Sequence, residues 1–139
     1  MPVLFFSGGG NPLPDSAEEQ QRLAANLRDY IDRGGFIFAD GEGCGSDFDH
    51  GFRRLMELTF QKPEYRFKPL DAAHPVWIAE EKIPPDQVRL LLGIDYGVIF
   101  SEFDLSCALE KHDSMECRGY TREDAARIGL NVLRYGMQQ

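Results

Sequence analysis

The sequence predicts a single α/β domain, spanning residues 1–139, whose sheet is mostly parallel. Two short runs, residues 3–6 and 36–39, are wholly apolar, which is typical of strands buried on both faces. A glycine-rich turn and then an amphipathic helical pattern follow each run, and this alternation is the repeating unit of an α/β sheet. A chain of 139 residues is also long enough to form one core without disulfides.

The first helix is predicted to begin at Ser16 and to end before Gly34. Ser16 and Glu19 have the spacing of a capping box, in which the serine oxygen accepts a hydrogen bond from an amide of the first turn. Apolar residues then recur at helical spacing, at Leu23, Leu27, Tyr30 and Ile31. Gly34 supplies the left-handed conformation that commonly follows the end of a helix.

The second helix is predicted over about residues 48–60, after a glycine-rich turn at residues 41–45. Its expected buried stripe consists of Phe48, Phe52, Leu55, Met56 and Thr59. Arg53 and Arg54 lie off this stripe and are expected to be solvated surface. Pro63 ends the helix because proline lacks the amide hydrogen that a further turn would need.

The second half of the chain predicts a hairpin and a final helix. Residues 65–68 alternate as a strand does, and the apolar runs 88–94 and 98–100 are joined by a tight connection, which indicates an antiparallel hairpin at or near an edge of the sheet. The final helix is capped by Thr121. Its expected buried face consists of Ala125, Ile128, Gly129, Val132 and Leu133, with Gly129 packed closely on the sheet.

Charge and composition exclude several classes of protein. The formal net charge of -8 repels phosphate backbones and anionic membrane surfaces, so no nucleic-acid partner is expected. Three cysteines without dense spacing do not form a disulfide framework. No apolar run is long enough to span a membrane, and no signal peptide is recognisable. A cytoplasmic location is the default, and the cell envelope is the alternative if the chain is a piece of a longer protein.

Candidate binding residues gather where the second strand gives way to the second helix. Ligands of α/β sheets bind beyond the carboxyl ends of the strands. We therefore expect a binding site formed by Asp40, Glu42, Gly43, Gly45, Ser46, Asp47 and His50. The later loop at residues 104–107 is expected to contribute to the same site.

The carboxylates of this cluster are candidate metal ligands. Asp40, Glu42, Asp47 and Asp49 with His50 could hold a divalent cation such as magnesium. Their spacing matches neither an EF-hand loop nor a zinc site, and two of the aspartates are better explained as residues that stabilise a helix start. We assign no metal and no cofactor to the chain.

Cys44 is the candidate nucleophile. It lies between two glycines, after a strand and before a helix, where helix amides can lower the pKa of a thiol. A nucleophilic cysteine also needs a base, and the chain offers His50, His74 and His112. The alternative is that Cys44 is a small residue in a tight turn, and a redox or metal site would require Cys107 or Cys117 to approach it.

Several phrases together resemble the bacterial family called domain of unknown function 4159. The matching pieces run in order along almost the whole chain: residues 2–6, 27–30, 33–36, 43–46, 48–49, 52–53, 74–75, 104–107, Glu110, 129–133 and Tyr135. The resemblance implies a three-layer flavodoxin-like sheet similar to that of class I glutamine amidotransferases. It also implies a setting beside ATPases of the MoxR type and von Willebrand factor A-like proteins of the cell envelope.

The amidotransferase comparison tests the candidate nucleophile. Those enzymes carry a cysteine in an elbow flanked by small residues, and a His-x-Glu pair near the end of the chain. Here Glu42 stands at the first small position, and no His-x-Glu precedes the last helix. The sequence therefore favours a non-catalytic ligand-binding or protein-interaction module. A divergent hydrolase that uses Cys44 is the alternative, and oligomeric state is left open.

Overall fold

The computed structural model describes residues 3–7, 10–41, 47–62, 65–70, 73–80, 83, 91–94, 97–101 and 122–138, with side chains of the last helix described from residue 126. Strands β1 to β5 comprise Val3–Ser7, Phe36–Asp40, Lys68–Pro69, Leu91–Ile94 and Val98–Ser101. Helices α1 to α3 comprise Ala17–Asp32, Asp47–Thr59 and Arg122–Met137, and Pro75–Ile78 forms a short 3-10 helix. No helix in these ranges is long and apolar enough to cross a membrane.

The five described strands form one sheet in the order β1-β2-β5-β4-β3. β1, β2 and β5 are mutually parallel, whereas β4 runs antiparallel to β5 and to β3. The predicted hairpin is therefore confirmed, and Gly97 provides the positive φ of 95° at its turn. In a flavodoxin-like sheet the first strand lies between two others, whereas β1 here has β2 as its described neighbour.

Helices α1 and α2 cover one face of this sheet. Leu27 and Ile31 of α1 join the predicted stripe of α2, all of which is buried. Ser16 caps α1 as expected, since its Oγ accepts a hydrogen bond from the amide of Glu19 at 3.1 Å. Gly34 has a φ of 92° at the end of the helix, as predicted.

Helix α3 and the 3-10 helix cover the opposite face, which gives three layers. Their core comprises Phe36, Phe38, Val76, Trp77, Ile83, Leu91, Ile99, Ile128 and Val132. Asn131 is fully buried, and its side-chain amide donates a hydrogen bond to the carbonyl of Val76 at 2.7 Å. This bond ties α3 to the 3-10 helix.

Two details of the predicted α3 face are wrong. A Cβ at Gly129 would meet nothing within 4 Å, so this glycine is not a close-packing position. Leu133 is 43% exposed, and Leu130 and Met137 share its outer face. Gly136 is the glycine against the sheet, because a Cβ there would lie 2.6 Å from the ring of Phe36.

Candidate functional site

A row of three polar residues crosses the carboxyl ends of the parallel strands. Ser7, Asp40 and Ser101 are paired in register across β1, β2 and β5, and we call them the strand-end row. Asp40 is 3% exposed and Ser101 is fully buried. Because side chains alternate along a strand, all three are on the sheet face that carries Phe36, Phe38 and Ile99.

The next described helices after two neighbouring strands of this row lie on opposite faces of the sheet. Helix α2, which follows β2, packs on the face that α1 also covers, whereas α3, the next described helix after β5, packs on the face that carries Phe36 and Ile99. Where the chain leaves adjacent strands of an α/β sheet toward opposite faces, a crevice forms between those strands and ligands bind in it. Asp40 and Ser101 stand on the two sides of this position. The backbone amide of Gly41 still donates a hydrogen bond to the carbonyl of Ser101 at 3.2 Å, so the two strand ends are held together.

The segment after β1 also approaches this end of the sheet. Asn11 lies against Gly51 of α2, so that a Cβ built at Gly51 would collide with the side-chain oxygen of Asn11. The same oxygen accepts a hydrogen bond from the amide of Leu13 at 2.9 Å. Gly41 is similarly confined, since a Cβ there would be 3.0 Å from the ring of Phe48. Glycines at these two positions therefore allow the surrounding segments to pack closely.

The acidic residues expected at the site have different roles. Asp47 is exposed in the first turn of α2, and His50 is exposed one turn later. Asp49 is buried, and its Oδ1 accepts a hydrogen bond from Nε of Arg53 at 2.8 Å. Within the described ranges, no three side chains of histidine, cysteine, aspartate or glutamate gather as metal ligands would.

The five remaining predicted site residues lie outside the described residues. They are Glu42, Gly43, Cys44, Gly45 and Ser46. The later loop at residues 104–107 and the candidate base His112 also lie outside the described residues. The first group follows Gly41 directly in sequence, and residues 104–107 begin three positions after Ser101, the last residue of β5.

His74, another candidate base, lies at the opposite end of the parallel strands, where β2 and β5 begin. It lines a cavity of about 330 Å³ with Phe36 and Val98, the first residues of β2 and β5. Its Nδ1 accepts a hydrogen bond from the amide of Val76 at 3.1 Å, and its ring centroid lies 4.9 Å from that of Tyr135. His74 therefore caps the 3-10 helix, whereas Asp40 marks the other end of β2.

Sequence reasoning identified Asp40 but missed Ser7 and Ser101. Each of the three is the polar residue that directly follows an apolar strand run, after Phe6, Ala39 and Phe100. That shared position is a signal in the sequence, but it gains meaning only when the three strands are known to be neighbours. Strand order was not predictable from the residues.

The match to a family model covers nearly the whole chain. The model described as Domain of unknown function (DUF4159) matches residues 1–137. No curated protein matches the chain. The resemblance drawn from the separate sequence phrases is thus confirmed at the level of the family, and the chain belongs to the DUF4159 family of proteins of unknown function.

Proposed function

We propose that this chain is a single domain over residues 1–139 that acts as a non-catalytic ligand-binding or protein-interaction module. The observation that carries the proposal is the strand-end row, in which buried Asp40 and Ser101 are paired side by side at the carboxyl ends of β2 and β5. A carboxylate between two hydroxyl groups suits a ligand that presents N–H donors, such as an amide or an ammonium group.

The absence of a complete catalytic set in the sequence supports the non-catalytic half of the proposal. His74 caps the 3-10 helix at the end of the parallel strands opposite to Asp40. A cysteine without a base keeps the low nucleophilicity of an ordinary thiol at neutral pH. We propose a relationship to the flavodoxin-like, class I amidotransferase-like architecture on the strength of the three layers, with the position of β1 as the point of departure.

The proposed protein partners follow from the family resemblance. They are ATPases of the MoxR type and von Willebrand factor A-like proteins of the cell envelope. Residues that follow β2 and β5 in sequence would form the contact surface, because these two strands end at Asp40 and Ser101 of the strand-end row.

The experiment combines ligand binding with thiol chemistry. Amide spectra of isotope-labelled protein titrated with L-glutamine should change at Asp40, Gly41 and Ser101, and Asp40→Asn with Ser101→Ala should weaken binding at least fivefold. The Cys44→Ala variant should bind L-glutamine as the parent does, since the thiol has no catalytic part. Alkylation by iodoacetamide at pH 7 should show that Cys44 reacts no faster than free cysteine. The difference in alkylation between the parent and Cys44→Ala separates the reaction of Cys44 from that of the other two cysteines.

Two outcomes would overturn this proposal. Release of ammonia from L-glutamine that disappears in Cys44→Ala would establish the hydrolase instead. Alkylation of Cys44 about a hundredfold faster than free cysteine would show an activated thiol.

A further inference from the structure

A second surface lies at the carboxyl end of α2, near the opposite end of the parallel strands from the strand-end row. It consists of two adjoining depressions of about 380 and 400 Å³ that share Gln61, Lys62 and Tyr65. The first also contains Arg53, Arg66 and Phe67, and the second contains Arg28. We call this continuous surface the basic groove. It is independent of the proposed site at the strand ends.

Aromatic rings hold two arginines of the basic groove in place. The Arg28 guanidinium carbon lies 5.5 Å from the ring centroid of Phe60 and 5.6 Å from that of Tyr65. The Arg53 guanidinium carbon lies 5.7 Å from the centroid of Phe67. Such stacking is favourable and restricts the side chain before any ligand arrives, which lowers the entropy cost of binding.

The charges of the basic groove oppose the charge of the whole chain. Arg28, Arg53, Lys62 and Arg66 line it, and Glu57 is the one acidic residue among the described lining residues. Adding Glu64, which lies next in sequence but outside the described residues, would still leave cations in excess. A positive surface on a chain of net charge -8 is therefore a local feature of these positions.

Salt bridges within the protein neutralise part of this charge. Arg28 pairs with Asp32 at 3.3 Å, and Arg53 pairs with buried Asp49 at 2.8 Å. The carboxylate of Glu57 is paired in turn with Arg54 at 3.1 Å. Lys62 and Arg66 are both exposed and account for the remaining positive charge.

We propose that the basic groove docks an acidic peptide segment of a partner protein, one that carries an aromatic or aliphatic side chain among its carboxylates. Charge complementarity selects the acidic residues, because clustered arginines recognise acidic motifs. The apolar side chain contacts the rings of Tyr65 and Phe67 where they line the first depression. The two depressions are open to solvent and adjoin through shared lining residues, which fits an extended chain better than a small molecule, since small-molecule sites enclose most of their ligand.

The test measures fluorescence anisotropy of a dye-labelled peptide of about ten residues in which glutamates surround two phenylalanines. We expect a Kd on the order of 10 μM at low salt, rising as salt screens the charges. The variant Lys62→Glu/Arg66→Glu should weaken binding at least tenfold. Replacing the glutamates of the peptide with glutamine should weaken it to a similar extent.

The matched control carries the same charge change away from the groove. Arg33→Glu/Arg134→Glu reverses two exposed arginines, which are 79% and 54% exposed and line neither depression. This variant should bind within about twofold of the parent, after correction for long-range charge. Tyr65→Ala should weaken binding, and Tyr65→Phe should retain it, because the ring is the contact. If the double glutamate variant does not fold, Lys62→Gln/Arg66→Gln removes the charges without reversing them.

Three results would overturn the proposal. Equal weakening in the control variant would show nonspecific attraction. Equal binding of the glutamine peptide would show that carboxylates are not recognised. Binding of pyrophosphate that depends on Lys62 and Arg66, without binding of the acidic peptide, would make the groove a small-anion site. Failure at the strand-end row leaves this result unaffected, because the variants and probes are different.

Discussion

Replacing Phe52 with alanine should destabilise the protein more than any comparable change at its surface. Phe52 is fully buried between α2 and the sheet. Its ring centroid lies 5.1 Å from that of Phe100 and 5.8 Å from that of Phe48, with Phe6 and Phe67 at 5.6 and 6.0 Å. Truncation removes the transfer free energy of the ring and leaves a cavity between rings that are themselves restrained, so we expect a loss of about 4 kcal/mol in the free energy of unfolding.

The corresponding change in melting temperature follows from the length of the chain. An unfolding entropy of roughly 2.1 cal/mol/K per residue gives about 0.3 kcal/mol/K for 139 residues, so the melting temperature should fall by about 14 °C. Phe5→Ala is the matched control, because Phe5 is 50% exposed and should cost only about 1 kcal/mol. Urea unfolding followed by circular dichroism measures the loss in the free energy of unfolding for both variants. A cost for Phe52→Ala no larger than that for Phe5→Ala would refute the assignment of Phe52 to the core.

Three further predictions concern α3. Gly136→Ala should destabilise the protein by about 1–3 kcal/mol, because the new Cβ would meet the ring of Phe36 at 2.6 Å. Gly129→Ala should instead stabilise the protein by up to about 1 kcal/mol, because the new Cβ enters open space and alanine favours a helix. If chemical unfolding shows that both variants change the free energy of unfolding in the same direction, the packing described for α3 is contradicted. Burial raises the pKa of Tyr135 above its ordinary value of 10.0. The folded state therefore keeps this proton when the unfolded chain has lost it, so stability should fall as pH rises above about 10. Unfolding curves between about pH 8 and 11 should show a steeper fall for the parent than for Tyr135→Phe, and parallel curves would argue against the shift.

Local features of the fold were the most predictable from the sequence. The Ser16 cap, the positive φ of Gly34 and the buried stripe of α2 all depend on interactions within a few residues. The hairpin of β4 and β5 was predictable for the same reason, because a short connection fixes the pairing of its strands.

Features that depend on tertiary neighbours were less predictable. Helix α3 carries apolar residues on two sides, and periodicity cannot tell which side meets the sheet; Leu133 was therefore assigned to the wrong side. Arg53 was expected to be solvated surface, but it is one-third exposed, bonded to buried Asp49 and stacked on Phe67. The strand predicted over residues 65–68 is limited to Lys68–Pro69, which pairs with β4 at the edge of the sheet.

The long excursion between β2 and β5 has a consequence for finding a ligand. Asp40 and Ser101 are side by side, but the chain from residue 41 to residue 97 lies between their strands in sequence. Closing a loop of ~57 residues costs on the order of 4 kcal/mol of chain entropy, so the two sides of the strand-end row exist together only in the folded protein. A compound that touches both strands must therefore raise the melting temperature in proportion to its affinity and concentration. Thermal-shift screening of metabolite mixtures is accordingly a direct test of the proposed ligand site.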